Sequence, residues 1–174
     1  MIPPAIWRFI SMDFAVRLPK SVNKSVIMVF VDRLSKYVHF CALQHPFIAS
    51  TVAQFFMDQV FKLHGMPHSI VSHRVPTFTR NFWQEIFKLQ GTQFHLSKAY
   101  HPQTDGQMEV VNKCFETYLR CFASENKNYW AQWLPLDEWW YNTSYHIATR
   151  MTPFEAAYGQ KPLLLGKIPY RLAN

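Results

Sequence analysis

The order of the apolar periodicities constrains the fold more than any other feature, because three strand-like runs precede the first helical stripe. Residues 9–16 alternate, so that Ile10, Met12, Phe14 and Val16 share one face and Ser11 and Asp13 the other. Residues 26–31 and 37–43 are rich in β-branched and aromatic side chains. The turn-forming Asp32-Arg33-Leu34-Ser35-Lys36 between them predicts an antiparallel hairpin. Ser50 is placed to cap a helix over 51–64, with Val52, Phe55, Phe56, Val60 and Leu63 as its inward stripe and Gly65 and Pro67 as its stop. A short apolar strand over 69–72 follows. Phe82, Ile86 and Leu89 predict a helix over 81–90 that stops at Gly91, and 93–96 reads as a fifth strand. After a loop over 97–106, Met108, Val111, Phe115, Tyr118 or Leu119, and Phe122 form the stripe of a long amphipathic helix over 107–123. A Trp-rich segment over 130–145 reads as helix, and Thr152-Pro153-Phe154-Glu155 is a capping box that opens a last one. The order β-β-β-α-β-α-β-α-α predicts an α/β fold, a mixed sheet covered by helices. One domain over 1–162 with a tail over 163–174 fits a chain of 174 residues.

Eighteen Lys and Arg against eleven Asp and Glu give a net charge of +7, and 49% hydrophobic with 17% aromatic residues excludes a disordered basic tail. Nucleic acid or another anionic surface is the partner class this balance suggests. Cys41, Cys114 and Cys121 lack CxxC spacing, which speaks against a structural zinc site or a disulfide framework and for a reducing compartment. The apolar run 26–31 is far shorter than the roughly 20 residues that span a bilayer, so a soluble intracellular protein with no membrane partner is expected.

The chemistry-bearing candidates are Asp13 in the first strand, His73 just past the fourth, and Glu109 at the head of the long helix. Thirty-five residues lie between His73 and Glu109. Around them stand ISMDF (10–14), VDRLSKYVHF (31–40), HGMPHSIVS (64–72), AYHPQTDGQMEVVN (99–112), WWYNTSYH (139–146) and MTPFEAAYGQKP (151–162). In motif content and order, from about residue 7 to 162, the chain resembles the catalytic cores of retroviral and gypsy-type retrotransposon integrases, whose signature is Asp, Asp, thirty-five residues, Glu. The resemblance implies a ribonuclease H-like fold with a mixed five-stranded sheet flanked by helices. It also implies a nuclear polynucleotidyl transferase that trims element DNA ends, joins them to target DNA, and has cores that commonly dimerise. Such enzymes use Mg²⁺ or Mn²⁺ held by three carboxylates, which activate the attacking oxygen and stabilise the leaving one. Carried over residue by residue, Asp13 and Glu109 are metal ligands, and Lys113, Asn112 and Gln103 face nucleic acid, with Arg74 and Lys98 as lesser candidates.

The chain departs from the pattern where it matters most, because His73 stands at the position of the second catalytic Asp. Imidazole ligates one metal through one nitrogen and carries no negative charge, so the ligand set falls from about −3 to about −2 and loses a bridge between ions. An impaired or inactive strand transferase is therefore expected. Val75 is a second departure, at a turn where the family has Gly or Asp. Asp32 and Asp105 are the carboxylates weighed as replacements for the lost one, but their positions predict a turn residue and a helix cap. The histidine pairs His39/His45 and His64/His68 are read as core or surface residues, and Trp130, Trp133, Trp139 and Trp140 as core or a subunit interface. The chain is expected to be an isolated core without the zinc and DNA-binding modules that flank its relatives. The competing reading is a non-enzymatic DNA-binding or self-associating module that keeps the core as a scaffold.

Overall fold

The computed structural model describes residues 5–15, 18–72, 76–89, 128–147 and 149–163. Its strands are β1 (Phe9–Ala15), β2 (Val26–Asp32), β3 (Val38–Leu43) and β4 (Ser69–Ser72), in the sheet order β3-β2-β1-β4. β2 pairs antiparallel with β3 and with β1, as the hairpin reading requires, whereas β1 and β4 run parallel. The sheet is thus mixed, and the segment read as a fifth strand, 93–96, lies outside the described residues.

Every residue of the central strand β2 is buried, because helices cover both faces of the sheet. On one face Ile10, Met12, Phe14, Met28 and Phe30 pack with Val52 and Phe56 of α1 (Ala49–Phe56), Val60 of the turn that follows it, and Phe82 and Ile86 of α3 (Pro76–Leu89). On the other, Ile27, Val29, Val31, Val38 and Phe40 pack with Trp130, Leu134 and Tyr141 of α4 (Trp130–Thr143). α5 (Pro153–Tyr158) opens with the expected capping box. The Thr152 hydroxyl accepts from the Glu155 N–H at 3.0 Å, and Glu155 Oε2 accepts from the Thr152 N–H at 2.9 Å.

α4 also crosses the free edge of β3. There the Asn142 side chain accepts from the Val38 N–H (2.9 Å) and donates to the Val38 carbonyl (3.0 Å), as a neighbouring strand would. Glu138 Oε2 accepts from the Phe40 N–H at 2.7 Å. An edge strand left bare invites pairing with other chains, and α4 closes this one.

Four local expectations are corrected. The first helix begins at Ala49 after Ile48, so Ser50 lies inside it and caps nothing. It passes through a π-helical turn (Met57–Phe61) into α2 (Lys62–His64). Because a π turn holds more than 3.6 residues, the four-residue spacing Phe56, Val60, His64 stays in line. His64 therefore turns inward, and Leu63 is 60% exposed. α3 starts at Pro76 rather than at 81, since proline's fixed φ suits the first helical position. Its outer end also differs, for Leu89 is exposed.

Candidate active site

Asp13 stands near the C-terminal end of β1, opposite Val29 of β2. It therefore lies on the face that α4 covers, opposite to the core that holds Met12 and Phe14. Its side chain is half-buried, and Oδ1 accepts from the Phe14 N–H at 2.8 Å. Ser11 lies two residues earlier on the same face, fully buried, with its hydroxyl unpartnered among the described residues.

The β1–β4 register runs Phe9 with Ser69, Ile10 with Ile70, Ser11 with Val71 and Met12 with Ser72. Parallel pairing thus ends one residue short of Asp13, and the carboxylate projects beside the C-terminal end of β4. The condition under which the two strands bring functional groups together, that they be neighbours, is met. Of the sequence candidates, Asp13 is the one the structure places. His73, Arg74, Val75, Lys98, Gln103, Asp105, Glu109, Asn112 and Lys113 lie outside the described residues, as do Cys114 and Cys121.

Asp32 is a structural residue, as its turn position predicts. It is 1% exposed, its backbone pairs with Ile10, and its carboxylate accepts from the Trp7 N–H (2.9 Å), the Ser35 N–H (2.8 Å) and the Ser35 hydroxyl (2.6 Å). These three bonds tie the hairpin turn to the approach to β1, and they commit both oxygens away from Asp13. Cys41 is buried, and burial followed by the Glu138 charge pushes its thiol up to about 12, which makes it an inert core group.

The histidines hold a contact that spacing does not reveal. His39, from β3, and His64, from α2, meet with their Nε2 atoms 2.9 Å apart, while His39 Nδ1 lies 3.0 Å from Glu138 Oε1. His39 is a core residue, as read. Its contact with His64, which the π turn brings inward, joins one histidine from each of the two pairs. Among the described residues no group of three potential metal-binding side chains occurs. No described helix is long and apolar enough to cross a membrane. Of the tryptophans, Trp130 is core, Trp139 packs its ring against Phe154, and Trp133 and Trp140 are about half exposed on α4.

No protein-family model matches the chain. The Tf2-3 transposon polyprotein of Schizosaccharomyces pombe is 34% identical over 165 residues, 94% of this chain, and the Tf2-4 polyprotein of the same yeast matches equally. The chain spans 12% of the length of these curated relatives. Among solved structures, the simian T-cell lymphotropic virus intasome in complex with a PP2A regulatory subunit has a chain that aligns with 98% of this one. There the TM-score is 0.66 at 17% identity, over 61% of that chain. The catalytic core of BIV integrase aligns with 86% of this chain and 92% of its own, at TM-score 0.58 and 19% identity. The HTLV-2 integrase core in complex with magnesium aligns with 85% and 95%, at TM-score 0.58 and 17% identity. The chain is thus homologous to one segment of retrotransposon polyproteins and shares the fold of retroviral integrase catalytic cores.

Proposed function

We propose that this integrase-core-like domain of the retrotransposon polyprotein type is, by descent, the part that trims element DNA ends and transfers them to target DNA. In this chain the activity is impaired or lost, because His73 stands at the position of the second catalytic Asp. The observation that carries the reading is the parallel pairing of β1 with β4, which ends at Met12 and Ser72. Covalent geometry ties residue 73 to Ser72 by a single Cα–Cα step of about 3.8 Å. Asp13 and Glu109 are the oxygen ligands of this reading, His73 occupies the second ligand position, and Lys113, Asn112 and Gln103 meet DNA.

The donor set does not fit a pair of Mg²⁺ ions. Two carboxylates and an imidazole leave the site short of one negative charge and of the second oxygen that would bridge the ions. A hard cation gains little from a nitrogen donor. Asp32 does not supply the missing carboxylate, since its oxygens are already taken by Trp7 and Ser35. Loss of outer-shell partners alone costs roughly 10–100-fold in metal affinity or activity, and loss of a bridging ligand costs no less.

End-nicking and strand-transfer assays in Mn²⁺ test this on three chains: the chain as given, His73→Asp, and His73→Asp with Glu109→Gln. Activity in His73→Asp alone is the expected result. Equal activity in the unmodified chain would overturn the impairment.

A second reading, a self-associating or DNA-binding scaffold without catalysis, is favoured by Trp133 and Trp140, which lie two turns apart on one exposed face of α4. Titration with Mn²⁺ separates the two readings. A signal lost in Glu109→Gln supports the metal site, and no signal in any chain leaves the scaffold. DNA binding through phosphates predicts affinity that falls with salt, with a log–log slope of about −0.9 per neutralised phosphate.

A further inference from the structure

At the end of the sheet away from Asp13, four aromatic rings and a carboxylate gather where α2, β3, α4 and the approach to β1 meet. The Trp7 ring lies flat against His64 (centroids 4.1 Å, 6° between planes) and against His39 (5.0 Å, 25°). Tyr37 meets His39 edge-on at 5.4 Å, and Glu138 Oε1 meets His39 Nδ1 at 3.0 Å. Trp7 itself sits in the left-handed region, φ 61°, where a bulky residue is strained, and the Asp32 carboxylate holds its N–H there. A strained aromatic in such a position keeps its place only if its neighbours over-determine it, and the two imidazoles, with centroids 5.2 Å apart, lie side by side against one of its faces.

We propose that His39 and His64 form a proton-limited latch, which holds the C-terminal end of the first helix against β3 while the pair carries at most one extra proton and releases it when both rings are charged. The argument is a hydrogen count. The Glu138 carboxylate only accepts, so the His39 Nδ1 carries hydrogen. A contact of 2.9 Å between two Nε2 atoms needs one hydrogen between them. With both rings neutral, His64 donates and His39 accepts. With one proton added, the charge is shared across the same bond, next to Glu138 and against the Trp7 face. With two, two N–H groups point at each other across that distance, and the contact cannot survive.

The surroundings support that ordering. On α4, Glu138 is the charged partner of His39. Tyr37 at the head of β3, with Tyr158 of α5 beside it, keeps its proton, since burial and Tyr158 raise it. Cys41, further along β3, is likewise held as a thiol, chiefly by burial. Among the described residues in contact with the pair, Glu138 is the one carboxylate. Burial first and His39 second hold His64 down to about 4, against an ordinary 6.5, so the second proton arrives only in acid. Release would free the end of α2 and Gly65, whose N–H bonds to Phe61, and with them the segment that leads into β4.

Hydrogen exchange on the full chain tests this, read at residues 62–65 and, as an internal reference, at β2. Between about pH 7 and about pH 4, corrected for intrinsic rates, protection at 62–65 is expected to fall by about tenfold or more while β2 keeps its own. His64→Gln, which can still donate one hydrogen bond to His39 but does not titrate, is expected to remove the pH dependence. Equal loss at β2, no loss at 62–65, or an unchanged loss in His64→Gln would overturn the latch. Should His64→Gln not fold, imidazole ¹⁵N shifts of the unmodified chain decide. Two independent titrations near the ordinary value refute a shared proton, and a second step delayed to about pH 4 supports it.

Discussion

Asn142→Ala tests how α4 is fastened to the sheet. In the folded chain the Asn142 amide is the partner of both the N–H and the carbonyl of Val38, at 2.9 and 3.0 Å, and both residues are 1% exposed. Alanine removes the partner and leaves two buried backbone groups on the edge of β3. Each unsatisfied group costs about 1–3 kcal/mol. The vacated amide leaves space in which a water can recover part of this, which brings the expected loss to about 2–4 kcal/mol. For a domain of this size that lowers the melting temperature by about 5–15 °C. Guanidinium unfolding followed by near-ultraviolet circular dichroism measures it, with an unchanged m-value as the check that only stability has moved. Asn142→Asp is the control. It keeps an acceptor for the Val38 N–H but sets a carboxylate oxygen against the Val38 carbonyl, so it is expected to be at least as damaging at neutral pH and to recover as the carboxyl is protonated. A loss below about 0.5 kcal/mol for Asn142→Ala, the size typical of a surface position, would refute the account of α4 as the cover of this edge.

Asp32→Asn leaves one carbonyl oxygen where three donors now converge, and is expected to cost about 1–3 kcal/mol while leaving any Mn²⁺ titration signal as it was. A folded variant that lost the metal signal would show Asp32 to be a ligand. Thr152→Ala removes the hydroxyl half of the capping box on α5 and is expected to cost about 0.5–2 kcal/mol by equilibrium unfolding, with Thr152→Ser largely restoring it. Between pH 6.5 and about 4 the folded chain binds fewer protons at His64 than the unfolded chain does, so stability rises with pH across that window and is lost on acidification. A urea midpoint series over that range, flatter in His64→Gln, checks the sign.

Much of the fold was legible because its signals are local. Alternation marks β1, β-rich runs on either side of a turn mark the hairpin, and Thr152 with Glu155 marks a helix start. The four described strands came out within a residue of where their patterns put them, and Asp32 took the turn role its neighbours dictate. The helices were read less well. The stripe Val52, Phe56, Val60 holds, but the π turn carries it on to His64 rather than Leu63, and no propensity announces a turn with one more residue in it. Asp13 could be placed on a strand from alternation alone. That it stands beside the end of β4 depends on a parallel pairing across some sixty residues of intervening chain.

The sequence by itself determined the class of sheet, the positions of its strands and the resemblance to integrase cores. It also carried the expectation that His73 stands where the resemblance puts the second catalytic Asp, because motif spacing and side-chain chemistry are properties of the chain in one dimension. Only the tertiary structure decided that Asn142 and Glu138 serve as the missing neighbour of β3, and that His39 and His64 meet beside Trp7. Each of those contacts joins residues from distant parts of the chain, and its energy exists only once packing on both faces of the sheet has excluded water from the polar groups concerned.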